Sequence, residues 1–254
     1  MKLKFLGSGT SQGVPVIGCH CEVCASVNPK DKRFRSSALV TTADGRKILL
    51  DCGPDFRMQM LNNKEDRIDA VLLTHEHNDH VIGLDDLRPL IFKNKKNMAL
   101  YCKKRVGAEI KMRFPYAFAD IRYPGSPAFD LHEITENFPL FDTEVEPIEV
   151  LHHKLPISGF KFKKLAYITD ASFIGETEKK KLQNLDYLIL NCIRKEDPHD
   201  AHFILPQVLD LYKELKPGKM FLTHISHHLG THDQMKKELP ENVFLAYDSL
   251  ELDF

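Results

Sequence analysis

The stretch Thr74-His75-Glu76-His77-Asn78-Asp79-His80 directly follows the apolar run Ala70-Val71-Leu72-Leu73. A strand that ends in such a cluster presents several ligands at one edge of a sheet. Imidazole and carboxylate suit zinc, manganese or iron, and neutral imidazole binds divalent metal near neutral pH. In extended backbone His75 and His77 point the same way and can chelate one ion. Asp79 and His80 are adjacent and can turn toward a second position. The spacing is not the helical H-E-x-x-H of metalloproteases, whose ligands share one helix face.

Three later apolar runs also end in ligand residues: Val150-Leu151-His152-His153, Tyr167-Ile168-Thr169-Asp170 and Met220-Phe221-Leu222-Thr223-His224. Periodicity predicts strands over 2–6, 38–42, 47–51, 70–74, 145–151, 160–162, 165–169, 187–190, 219–223 and 243–246. Asp44-Gly45 is a hairpin turn pair between the second and third of these. Helices are predicted over 56–61, 84–92, 106–114, 176–182 and 202–215, the last with Asp200 as N-cap. Strands dominate both halves, helices alternate with them in places, and no linker, repeat or low-complexity segment divides the chain. The pattern is mixed α and β, read as one domain over 1–254.

Cys19-His20-Cys21-Glu22-Val23-Cys24 offers three thiolates with C-x-C-x2-C spacing, as in a closed structural zinc site. His227, three residues past His224, fits as the fourth ligand; His20, squeezed between two chelating cysteines, points away. The earlier Gly7-Ser8-Gly9-Thr10-Ser11-Gln12-Gly13 has the wrong spacing for a dinucleotide loop, and Val14-Pro15-Val16 follows it rather than a helix. His202, in Asp200-Ala201-His202-Phe203, stands outside the strand-end set and is the candidate proton donor to a leaving group.

The chain of 254 residues has a formal net charge of −1, so no strong global field draws it to nucleic acid or anionic membrane. The basic runs Lys93-Asn94-Lys95-Lys96 and Lys179-Lys180-Lys181 are short. No segment approaches the roughly 20 apolar residues of a membrane span. With no apolar export signal near Met1, the six cysteines are expected to be reduced and the protein cytoplasmic.

H-x-H-x-D-H after a strand, followed in order by a strand-end His, Asp and His, resembles the metallo-β-lactamase superfamily of binuclear hydrolases. The cysteine trio, the helix-start His202 and T-H-I-S-H over 223–227 narrow the likeness to its phosphoribosyl 1,2-cyclic phosphate phosphodiesterases of the carbon–phosphorus lyase pathway. The resemblance covers nearly the whole chain. It implies a four-layer αββα sandwich and two divalent metals, manganese or zinc, with a separate structural zinc on Cys19, Cys21, Cys24 and His227. It implies that His75, His77 and His153 hold one active-site metal, with His152 as the competing choice for His153. Asp79, His80 and His224 hold the second, and Asp170 bridges. Asp79 and His202 are the catalytic groups, and Asp51 resembles the carboxylate that orients a ligand imidazole. The expected substrate is a small, cyclic phosphodiester rather than nucleic acid; a homodimer is left open. Asp85, Asp86 and Arg88 depart from the family pattern and bear on the substrate pocket. The rival enzyme is a transfer-RNA 3′-processing endonuclease, which shares fold and ligands but needs a surface that neutralises many phosphates.

Overall fold

The computed structural model describes residues 1–121 and 123–254. Its strands form two sheets. The first holds β1 (Lys2–Gly7), β2 (Ser37–Thr41), β3 (Lys47–Leu50), β4 (Ala70–Leu72), β5 (Met98–Cys102) and β6 (Phe129–Glu133) in sequence order, with the C-terminal strand Glu251–Asp253 outside β1. The second holds β7 (Phe138–Leu140), β8 (Thr143–His152), β9 (Leu155–Phe162), β10 (Leu165–Ile168), β11 (Phe173–Ile174), β12 (Tyr187–Asn191), β13 (Lys219–Thr223) and β14 (Val243–Leu245). Its order is β11-β8-β9-β10-β12-β13-β14, with β7 also on β8. In each sheet the early strands pair antiparallel and the later ones parallel: β3 to β6 in the first, β10, β12, β13 and β14 in the second.

Side-chain alternation along buried strands builds the layers. Ile48 and Leu50 of β3, Ala70 and Leu72 of β4, Leu165 and Tyr167 of β10 and Phe221 of β13 meet in one core between the sheets. Their neighbours face outward. Leu49 and Val71 pack with Phe56, Met60, Ile91, Val106 and Ile110 from helices over the first sheet. Ala166, Ile168, Leu188 and Leu222 pack with Val208, Leu211, Leu215 and Met235 from helices over the second. The result is the expected αββα sandwich. Each fully buried Leu or Ile side chain adds about 1.5–3 kcal/mol relative to exposure.

Several element bounds differ from the sequence expectation. The stretch 84–92 divides into a 3-10 segment, Ile82–Leu87, and an α-helix, Arg88–Asn94. Pro89 lacks an N–H and is tolerated only in a first turn, so the α-helix begins there. The helix expected from 202 begins at Leu205, with Pro206 in its first turn and Gln207 Oε1 accepting the Ile204 N–H at 3.0 Å. Asp200 is therefore not its N-cap, and His202 sits on the preceding loop. β5, β6 and β7 were not expected; β6, Phe-Asp-Leu-His-Glu, is an edge strand with little apolar pattern.

The loop after β4 is clamped onto the segment after β3. The Cys52 N–H donates to His80 O at 2.7 Å and the Gly83 N–H to Cys52 O at 2.9 Å. A Cβ on Gly83 would lie 1.9 Å from Gly53 O, and one on Gly53 would lie 2.1 Å from Asp79 O. Backbone, not a flexible side chain, blocks both. We expect Gly83→Ala to cost about 1–3 kcal/mol by overpacking, lowering Tm by roughly 3–10 °C. Thermal melting checks this; an unshifted transition would show that the two segments have room to part.

Candidate active site

The candidate ligands converge where strands of both sheets end. Asp51 directly follows β3, His75 and His77 follow β4, and Asp79 and His80 lie in the short helix Asn78–Val81. His152 is the last residue of β8, Asp170 follows β10 by two residues, and His224 directly follows β13. Asp51, Asp170 and His224 have φ of 59°, 59° and 53°. The left-handed region costs a non-glycine residue about 1–2 kcal/mol. That turn takes the three side chains out of the sheet's alternation and over its edge.

Three donor groups result, each with its ligand atoms within 4.8 Å of one another: His75, His77 and His152; Asp79, His80, Asp170 and His224; and His152, Asp170 and His202. Asp170 joins the first two. Its Oδ1 lies 3.4 Å from His80 Nε2 and 3.0 Å from His224 Nδ1, and its Oδ2 lies 4.0 Å from His75 Nε2.

His153 requires a correction. It is exposed and outside all three groups, and His152 takes the place expected of it. Alternation along β8 buries Ile148, Val150 and His152 on one face. His152 then pairs with Leu155, which leaves His153 and Lys154 as the two turn residues; His153 has φ 56°. The Nδ1–H of His152 donates to Ala201 O at 2.7 Å, which fixes Nε2 as the free lone pair.

Asp51 is fully buried and accepts three hydrogen bonds: from Thr74 N at 2.8 Å, Thr74 Oγ1 at 2.9 Å and His80 Nδ1 at 2.7 Å. Burial raises its pKa against the opposing pull of His80. The Nε2 atoms of His75, His80 and His224 are buried with no hydrogen-bond partner. Buried polar atoms are rarely left so, and three orphan imidazole nitrogens beside two carboxylates fit divalent cations. The charges agree. Burial, then neighbouring histidines, lower the pKa of His75 and His77, which keeps their lone pairs available. Burial also opposes charge on His80, but Asp170, Asp79 and Asp51 overcome it and raise its pKa. That pull for positive charge can be met by a metal in place of the proton.

His202 is buried over this cluster, its ring centroid 4.7 Å from His152 and 4.9 Å from His224. Burial, with His224 beside it, pushes its pKa down to about 2. His199, not singled out in the sequence, lies 4.9 Å from His202; its spacing of three from His202 was the available signal. Asp85 pairs with Arg88 and accepts the Tyr116 hydroxyl at 2.8 Å.

The cysteine cluster also assembles. Sγ of Cys19, Cys21 and Cys24 lie 3.2, 3.4 and 3.4 Å from His227 Nδ1. Tetrahedral zinc with ordinary bond lengths separates sulfur and nitrogen ligands by about 3.5 Å. Cys21 caps the short helix Glu22–Ala25 and takes the Cys24 N–H at 3.5 Å, while Cys24 takes the Val16 N–H at 3.4 Å. Burial and the two neighbouring thiols push Cys24 up to about 11. Three sulfurs and one imidazole nitrogen this close form a donor set that fits zinc. His20 is exposed and outside the cluster.

The beta-lactamase superfamily domain matches residues 46–225. A protein of Porphyromonas gingivalis (strain ATCC BAA-308 / W83) called octanoyltransferase is 41% identical over 253 residues, which is 99% of this chain and 51% of that protein. The chain thus spans about half the length of that curated relative. Among solved structures, a diphosphatase from the PhnP family superposes with a TM-score of 0.92 at 38% identity, covering 100% of this chain and 96% of that one. The short form of human tRNase Z shares the fold, with a TM-score of 0.73 at 19% identity, covering 100% of this chain and 99% of that one. Among the described residues no helix is long and apolar enough to cross a membrane. By the domain match and the near full-length likeness to the diphosphatase, the chain belongs to the β-lactamase superfamily, within the PhnP family.

Proposed function

We propose that the chain is a binuclear metal-dependent phosphodiesterase acting on a small, cyclic phosphodiester. The observation that carries the reading is the meeting of three orphaned imidazole nitrogens with Asp79 and Asp170 at one sheet edge. His75, His77 and His152 would hold one ion; Asp79, His80 and His224 would hold the other, with Asp170 reaching both. Bound there, two divalent ions, manganese or zinc, lower the pKa of water toward neutrality and neutralise charge on a phosphoryl oxygen.

The chain's own groups do the rest. Asp51 holds His80 by its Nδ1, and the Ala201 carbonyl holds His152 by its Nδ1, so both rings present Nε2 to the centre. His202 reaches the leaving oxygen's side and supplies its proton. Its depressed pKa means that the ring is neutral before substrate arrives. The negative charge of a bound phosphodiester favours the protonated ring, so His202 takes a proton from solvent on binding and gives it to the leaving oxygen. The diphosphatase of the same family supports phosphoryl chemistry, and the net charge of −1 supports a small substrate over nucleic acid. Cleavage of precursor transfer RNA with no turnover of small diesters would reverse that choice. The structural zinc on Cys19, Cys21, Cys24 and His227, a single domain over 1–254, a cytoplasmic location and an open possibility of homodimers complete the reading.

Three outcomes test it. With bis-p-nitrophenyl phosphate, Asp170→Ala and His152→Ala should each lower kcat/KM by at least roughly 10³-fold, while His153→Ala stays within about threefold. Comparable losses at 152 and 153 would undo the ligand assignment. His202→Ala should lower kcat by about 10²–10⁴-fold for poor leaving groups and less for p-nitrophenolate, which needs little protonation. Equal losses across leaving groups would remove it as proton donor. Cys21→Ser should lose about one zinc per chain by elemental analysis, because a closed four-ligand site rarely survives with three. Unchanged zinc content would refute the cysteine site.

A further inference from the structure

The three histidines assigned to one ion are not held alike. His75 Nδ1 lies 2.9 Å from Thr74 Oγ1, and His152 Nδ1 donates to Ala201 O at 2.7 Å, so both buried rings are fixed from behind. His77 is exposed, and among the described residues no hydrogen bond fixes its ring. The Asp51 carboxylate bonds Thr74 and His80, which flank His77 in the chain, but not His77 itself. The direction of that side chain therefore follows from the backbone between Glu76 and Asn78.

One helix, Lys104–Arg113, grips this backbone from outside the site. Val106 and Ile110 bury the helix in the outer core of the first sheet, and Arg105 and Arg113 stand clear of that stripe. Arg113 Nη1 donates to Glu76 O and to Asn78 Oδ1, the latter at 3.1 Å. Arg105 Nη1 pairs with the Glu76 carboxylate, and Arg105 Nη2 donates to Pro156 O at 2.8 Å. Pro156 lies opposite Leu151, the neighbour of His152. A single planar fork thus joins the loop that carries His75 and His77 to the hairpin that carries His152.

Resting on the ligand reading above, we propose that Arg105, acting on Glu76, is a positioning residue for His77 and so sets the affinity of the ion on His75, His77 and His152. The ion on Asp79, His80 and His224 does not depend on it. Asp51 orients His80 from the interior, and Asp170 lies against both His80 and His224. The side chains of Arg105 and Glu76 are 37% and 14% exposed, so solvent screens the pair and it adds little to global stability. What the pair supplies is direction. Groups that orient a metal ligand without touching the metal typically change metal affinity by about 10–100-fold.

Manganese titration of the full chain, followed by calorimetry and electron paramagnetic resonance, tests this. Manganese reads the histidine edge because thiolates disfavour it. In Arg105→Met and in Glu76→Gln, one of the two ions should bind at least about tenfold more weakly and the other within about threefold of the parent. At limiting manganese, the signal of a coupled ion pair should give way to that of a single ion. Tm of the metal-free chain should stay near that of the parent. In a His77→Ala background, Arg105→Met should change neither affinity further, because the ring that it positions is gone. Equal weakening of both ions, unchanged affinities, or a loss that adds to that of His77→Ala overturns the assignment. A parent that takes only one ion at this edge overturns it together with the two-ion reading. The expected ion pattern without turnover of any phosphodiester supports the assignment and counts against the phosphodiesterase reading alone.

Discussion

The Asp51 carboxylate is the contact on which the catalytic edge depends. It sits in the protein interior and takes its donors from one short stretch, Thr74 to His80. Hydrogen bonds to a charged group contribute about 1.5–3 kcal/mol each, and a buried carboxylate without them would be strongly unfavourable. The first half of the site is thus held by an acid that is not among the candidate metal ligands. The close backbone packing at Gly53 and Gly83 holds the same two segments from the other side. Orientation of His80 therefore follows from packing before any cation is considered.

Much of this was legible in the sequence because strands and ligands share a grammar. An apolar run that stops at His or Asp marks a strand whose end faces a cleft, and Ala70 to Leu73, Leu165 to Ile168 and Met220 to Thr223 each did so. His152 and His153 show where reading by family spacing fell short. Alternation from Ile148 through Val150 already placed His152 on the buried face, and a two-residue turn needed the next residue exposed. His202 was picked out, but its helix was begun three residues early, because Pro206 and the Gln207 side chain set the start at Leu205. His199 stayed hidden for a different reason. Its place beside His202 depends on the braced loop after β12, and loop conformation carries no period that a sequence reveals.

The cysteine cluster and the catalytic edge are mechanically joined. His227 belongs to the cluster and follows His224 by three residues. Thr10 N–H donates to Ile225 O at 3.0 Å, and Ile225 N–H donates to Ser8 O at 2.9 Å. The glycine-bearing loop after β1, the cysteine segment that follows it and the loop after β13 therefore form one bonded unit. Sulfur ligands sit at one end of that unit and nitrogen and oxygen ligands at the other, so the two ends differ in ligand softness.

The division of the ligands between the sheets has a consequence for assembly. Asp51, His75, His77, Asp79 and His80 come from the first sheet; His152, Asp170, His202 and His224 come from the second. Neither half of the polypeptide carries both groups of ligands, and Asp170 must cross from one to the other. The full ligand set is therefore assembled only where the two sheets are docked. A chain with only the first sheet formed would hold His75, His77, Asp79 and His80 but would lack Asp170, the carboxylate that reaches both groups.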